Sequence, residues 1–138
     1  GRVQEAAMQR DRAMQAFHES MAGGGLNALM DDATWRLGSI SVNSVIESIE
    51  AGRDHRALIS LVQLCVARAA GVHQDAAAIM QRDRPLLTHA LLPREIALAA
   101  LIERDALAVI APPQAQSYVM PPVPAEASDW AQRVLATQ

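Results

Sequence analysis

The sequence predicts an all-α fold: an irregular helical bundle of about six or seven helices around a central buried helix at residues 56–70. Three observations carry that expectation. The stretch Arg56–Ala70, RALISLVQLCVARAA, placed on a helix at about 100° per residue, puts Arg56, Ser60, Gln63 and Ala67 on one narrow stripe. Leu58, Ile59, Leu61, Val62, Leu64, Cys65, Val66 and Ala69 cover most of the remaining circumference, so this helix needs neighbours on several sides. Elsewhere Val and Ile fall singly at helical periods and never alternate over a strand's length. Aromatic residues are confined to Phe17, Trp35, Tyr118 and Trp130, which leaves alanine, leucine and methionine to fill the interior between closely packed helices.

Residues 2–22 read as the first helix. Val3, Ala7, Arg10, Met14, Phe17 and Met21 recur at alternating spacings of four and three, a heptad-like stripe with one charged member. Such a stripe either docks a partner helix, with Arg10 setting the register, or packs on the chain's own core with Arg10 reaching water over its aliphatic stem. Gly23-Gly24-Gly25 ends it, without the Lys and Ser/Thr that a phosphate loop requires. Leu26–Met30 makes a short turn, and Asp31 or Asp32 caps another that carries Trp35 and Leu37 and closes at Gly38. Val42, Val45, Ile46 and Ile49 space as a helix that Gly52 ends, with Ser44 and Glu47 in the form of a capping box. Asp54 begins the central helix. Arg68, off its polar stripe, belongs at an end or in an ion pair.

Gly71 separates the central helix from a shorter one, in which Val72, Ala76 and Ile79 share a face. Pro85 suits the first turn of the next segment, carrying Leu86, Leu87, Ala90 and Leu91, and Pro93 does the same for the helix after it. Run unbroken to Ile110, that helix scatters Arg94, Glu95, Glu103, Arg104 and Asp105 around its circumference. A break is therefore expected at residues 103–105, with Asp105 as a new cap. Composition changes at Ala111, since five of the seven prolines, Pro112, Pro113, Pro121, Pro122 and Pro124, precede Ala127. Residues 111–127 accordingly read as a proline-rich extended strap, laid across the bundle through Tyr118, Val119, Met120 and Val123. Ser128 then caps a C-terminal helix, residues 128–138, in which Trp130 and Val134 lie one turn apart and dock back. Bundle (1–110), strap and final helix make one domain, a size that 138 residues support. The string MQRDR occurs at residues 8–12 and 80–84, but the sequences that follow diverge at once, so it reads as coincidence.

Several function classes fall away on composition. A net charge of −3 is opposite to the basic patch of a nucleic-acid module. No apolar run approaches the roughly 20 residues of a membrane span. Four histidines, His18, His55, His73 and His89, show no metal-ligand spacing, and adjacent carboxylates such as Asp54 and Asp75 point to other faces of a helix. His55 and His73 stand roughly 27 Å apart at about 1.5 Å per helical residue. Cys65 lies mid-helix beside Leu58, Leu61 and Ala69, where a thiol packs as a small apolar group. The sequence therefore assigns no catalytic residue, no metal ligand and no cofactor. Arg82, Arg84 and Arg94 read either as a small basic cluster around the two helix-starting prolines, suited to a carboxylate or phosphate, or, by default, as a solvated mixed-charge surface, since Asp83 and Glu95 are near enough to neutralise it.

All 12 basic residues are arginine, and there is no lysine. A GC-rich genome explains that, as does a protein that works beside ubiquitin-transfer machinery and gains from lacking acceptor amines. The leading expectation is a non-catalytic protein–protein interaction module, one domain of a larger bacterial protein. Its partner-binding residues are Arg10, Met14, Phe17 and Met21 on the first helix, with Tyr118, Pro121 and Pro124 on the strap, the two prolines spaced as P-x-x-P. The alternative is an E3 ubiquitin-ligase-type domain of a host-delivered effector, whose partner is an E2 recruited without a catalytic cysteine. A small metal or acid–base enzyme using His55 or His73 comes third. No signal peptide is visible, Gly1 without Met reads as an excised piece whose original terminus is missing, and a single cysteine permits a reducing compartment, which leaves the location open between the cell interior and delivery into a host cytoplasm.

Overall fold

A computed structural model of the chain describes Gln4, residues 47–48 and residues 50–136. Five helices occupy residues 55–136, and no strand occurs among the described residues. They are α1 (His55–Ala69), α2 (His73–His89), α3 (Pro93–Ile110), α4 (Pro112–Gln116) and α5 (Ala125–Ala136). The fold is all-α. Upstream, Glu47, Ser48 and Glu50 are helical and Gly52 follows them at φ +90°, as the helix expected to end at Gly52 requires; the residue 2–22 helix, apart from helical Gln4, and the Trp35 turn lie outside the described residues.

Asp54 caps α1 as its sequence position predicts, its carboxylate accepting from the backbone N–H groups of Arg56 (2.9 Å) and Ala57 (3.2 Å). The helix ends in a Schellman turn: Val72 N–H donates to the Ala67 carbonyl, and Gly71 N–H to that of Arg68. Gly71 takes φ +74° to make it, a left-handed conformation that a Cβ disfavours. Between those ends every residue from Ala57 to Ala67 is buried. That includes the polar stripe, because Ser60 and Gln63 face α2 and not water. Arg68, in the last turn, pairs with Asp105 of α3 at 3.2 Å, so it is both terminal and paired.

α2 is one helix with a kink. Pro85 lacks an N–H and its ring crowds the carbonyl one turn back, and the backbone leaves helical geometry at Asp83 (φ −115°, ψ 23°). Pro85 thus stands in the first turn of the second half, as expected. α3 corrects the expected break at residues 103–105. It runs unbroken for 18 residues, and both carboxylates in its middle are accommodated: Glu103 is bound by Arg84 and Tyr118, and Asp105 by Arg68. Its burial also shifts the centre of the bundle. α1 is the more completely buried, yet α3 packs against each of the other four helices, whereas α1 packs extensively only against α2 and α3.

The strap differs from the expected uniform extension. Pro112 and Pro113 begin α4, a single helical turn, since proline tolerates the first positions of a helix. Residues 118–124 are extended, and α5 starts at Ala125, three residues before the expected cap at Ser128. The Pro124 carbonyl accepts from Ala127 and Ser128, which opens the helix earlier. α5 buries Ala127, Ala131 and Val134 in the main core, with Met120, Val123 and Trp130 packed at its edge.

Candidate interaction site

α3 begins beside the start of α5, and a surface cleft of about 450 Å³ opens between them. Leu92, Pro93, Arg94 and Glu95 form one wall, and Pro124, Glu126 and Trp130 the other. Pro93 occupies the first turn of α3, and the Glu95 carboxylate accepts from the Leu92 N–H at 2.9 Å. Glu95 is also clamped by both terminal nitrogens of Arg53, so it is neutralised from behind. Leu92, just outside the helix, is left 56% exposed. Across the cleft, Glu126 in the first turn of α5 complements the positive end of that helix. It accepts from Arg94 Nε at 2.8 Å and from a terminal nitrogen of the same guanidinium. That guanidinium lies 5.4 Å from the centroid of the Trp130 ring, within cation–π range. Chemically the cleft is an apolar surface of Leu, Pro and Trp, rimmed by an ion pair. It holds no nucleophile or free titratable pair.

A second polar cluster lies deeper. Glu103 is 2% exposed and receives Arg84 in a two-pronged grip, 3.1 Å and 2.6 Å, together with the Tyr118 hydroxyl at 2.7 Å. Asp83 accepts from Ser60 Oγ at 2.7 Å and from Arg82, and Arg82 also donates to Gln63 at 2.9 Å. Although burial works against it, hydrogen bonds from Arg82 and Ser60 hold the Asp83 carboxyl below the usual carboxylate range. Burial and the Glu103 carboxylate push the Tyr118 hydroxyl well above its ordinary value.

The sequence-predicted candidates fall in different places. Arg10, Met14, Phe17 and Met21 lie outside the described residues. Pro124 lines the cleft, Pro121 is half-buried beside it, and Tyr118 turns inward to Glu103. The basic cluster does not assemble: Arg82 takes Asp83, Arg84 takes Glu103 and Arg94 takes Glu126. Cys65 is fully buried, as its position mid-helix predicts, and burial pushes its thiol up to about 12. Among the described residues, His55 and His89 are exposed at helix ends, and no three His, Cys, Asp or Glu side chains are placed to hold a metal ion. Also among them, no helix is long and apolar enough to cross a membrane. Leu92, Arg94, Glu126 and Trp130 were not legible as a group from sequence. Proline positions at 93 and 124, each just outside or inside a helix start, were the available signal. Comparison with known protein families, curated proteins and solved structures finds no match to this chain.

Proposed function

We propose that this chain is a non-catalytic protein–protein interaction module, and that the Leu92–Trp130 cleft receives the partner. The observation that carries the reading is an exposed leucine beside a tryptophan ring and two prolines, on a surface where a monomer gains nothing from leaving them open. In the complete chain this reading includes the six or seven helices expected from sequence, with residues 2–22 as a further docking face.

Site-specific photo-crosslinking tests it. A photoreactive residue at position 92, in the full chain expressed in its parent cell, is expected to trap one protein species. The crosslink disappears in Trp130→Ala, and a probe at exposed Gln74 traps nothing above background. Equal, nonspecific labelling from both positions removes the reading. The lysine-free sequence supports a second reading, an E3-type ubiquitin ligase that recruits an E2 without a thioester of its own. Chain formation with a panel of E2 enzymes tests that one, and none with any of them eliminates it.

A further inference from the structure

The cleft has walls from two parts of the chain. Leu92–Glu95 is built into α3, but Pro124, Glu126 and Trp130 reach it only by way of the strap. α5 seats on α3 through small buried side chains, Ala127, Ala131 and Val134, with Trp130 and Leu135 at the edge and the Arg94–Glu126 pair at its start. Prolines at 121, 122 and 124 supply no N–H to the strap, whose polar ties to the helices beneath are the Tyr118 hydroxyl on Glu103 and, at its far end, Glu126 on Arg94.

That tie leads inward. Glu103 is gripped by Arg84, which directly follows the Asp83 kink of α2. Asp83 is held in turn by Ser60 of α1, and its neighbour Arg82 reaches Gln63 of the same helix. An unbroken run of hydrogen bonds, passing through one peptide link, therefore joins the buried face of α1 to the strap.

We propose that the α2 kink is a relay that couples the α1–α2 seam to the seating of the strap. Pro85 makes the kink, contacts on Ser60 and Gln63 set its angle, the kink aims Arg84, and Arg84 holds Glu103 where Tyr118 meets it. With the relay made, the strap is latched and the cleft has both walls. With the kink relaxed, Glu103 turns, Tyr118 loses its acceptor, and the strap with α5 lifts from α3. A discrete element with two arrangements, biased from both ends, is the physical form that coupling between separated sites requires. The relay's role as a control rests on the cleft being the partner site; the coupling itself does not.

Hydrogen exchange on the full chain reads it directly. Ser60→Ala and Tyr118→Phe each remove one hydroxyl and are tested singly and together, with the amides of α5 compared against those of Ala57–Ala67. Each single change is expected to speed α5 exchange about tenfold to a hundredfold, as loss of a hydrogen bond to a charged group does. Amides of α1 speed up less, and the double variant goes little beyond the larger single effect. Asp83→Asn, which keeps the side-chain shape, repeats the test at the kink. The relay is overturned if Ser60→Ala leaves α5 at the wild-type rate, if the two effects multiply, or if α1 and α5 accelerate equally. Crosslinking from position 92 separates the two claims. Its loss in Tyr118→Phe supports control of the partner site, whereas coupled exchange with no crosslink in the wild type overturns the partner reading alone.

Discussion

Arg84 and Glu103 share one ion pair, yet removing one is not equivalent to removing the other. The Glu103 side chain is 3% exposed and that of Arg84 is 47% exposed. Arg84→Met keeps the aliphatic stem and deletes the guanidinium, leaving a carboxylate in the core with only the Tyr118 hydroxyl to answer it. Stranding one partner of a buried pair costs about 3–5 kcal/mol. Glu103→Gln instead leaves a guanidinium that swings into water, and the amide oxygen still accepts one bond. Its cost is that of the charge-assisted part of the interaction, about 1–2 kcal/mol. Since a domain of this size holds roughly 5–15 kcal/mol in total, the first change is severe and the second tolerable. Replacing both, as Arg84→Met with Glu103→Leu, removes the buried charge and is expected to restore part of the Arg84→Met loss. Urea unfolding followed by circular dichroism measures all three, provided the slope with denaturant is unchanged. If Glu103→Gln proves as costly as Arg84→Met, or the double variant the worst of the three, the assignment of burial to the glutamate side is refuted.

Other consequences are open to the same measurements. Leu64, fully buried in α1, is expected to cost about 3–5 kcal/mol when changed to alanine, and a loss under about 1 kcal/mol means that the site collapses or lies nearer water. Gly71→Ala meets no neighbouring atom, so its cost is conformational alone, about 1–2 kcal/mol, and a neutral result removes the left-handed turn. In native protein Cys65 should resist thiol reagents until the chain unfolds, and rapid modification of the folded form contradicts its burial. Because its folded value is raised from 9.0 to about 12, the unfolded chain gives up that proton first. Stability from this group is full below pH 9.0 and declines as pH climbs toward about 12. Cys65→Ala is expected to flatten part of that alkaline decline in a thermal-melt series.

What was legible in the sequence was mostly local. Asp54 before an apolar run and Gly71 after it marked the ends of α1, because capping and left-handed turns depend on nearest neighbours. Cys65 and Arg68 were placed by angular position alone. Where the reading went astray, the missing information was a distant partner. The charges in the middle of α3 argued for a break only while Arg84 and Tyr118 were unknown to lie against Glu103, and Arg68 against Asp105. The late start assigned to α5 followed from the capping habit of Ser128, when the Pro124 carbonyl had already begun the turn. The cleft joins residues more than thirty positions apart, Arg94 with Glu126 and Trp130, a separation that periodicity does not register.

Pro93–Ile110 leans on every other helix of residues 55–136, and this sets an order for the chain's birth. Synthesis runs from the N-terminus, so α1 leaves the ribosome before either helix that covers it. Among the described helices it has α2 alone to shelter it until α3 emerges and closes the remaining side. A nascent chain whose α3 is still inside the ribosome should therefore recruit chaperones, and one with α3 fully emerged should let them go.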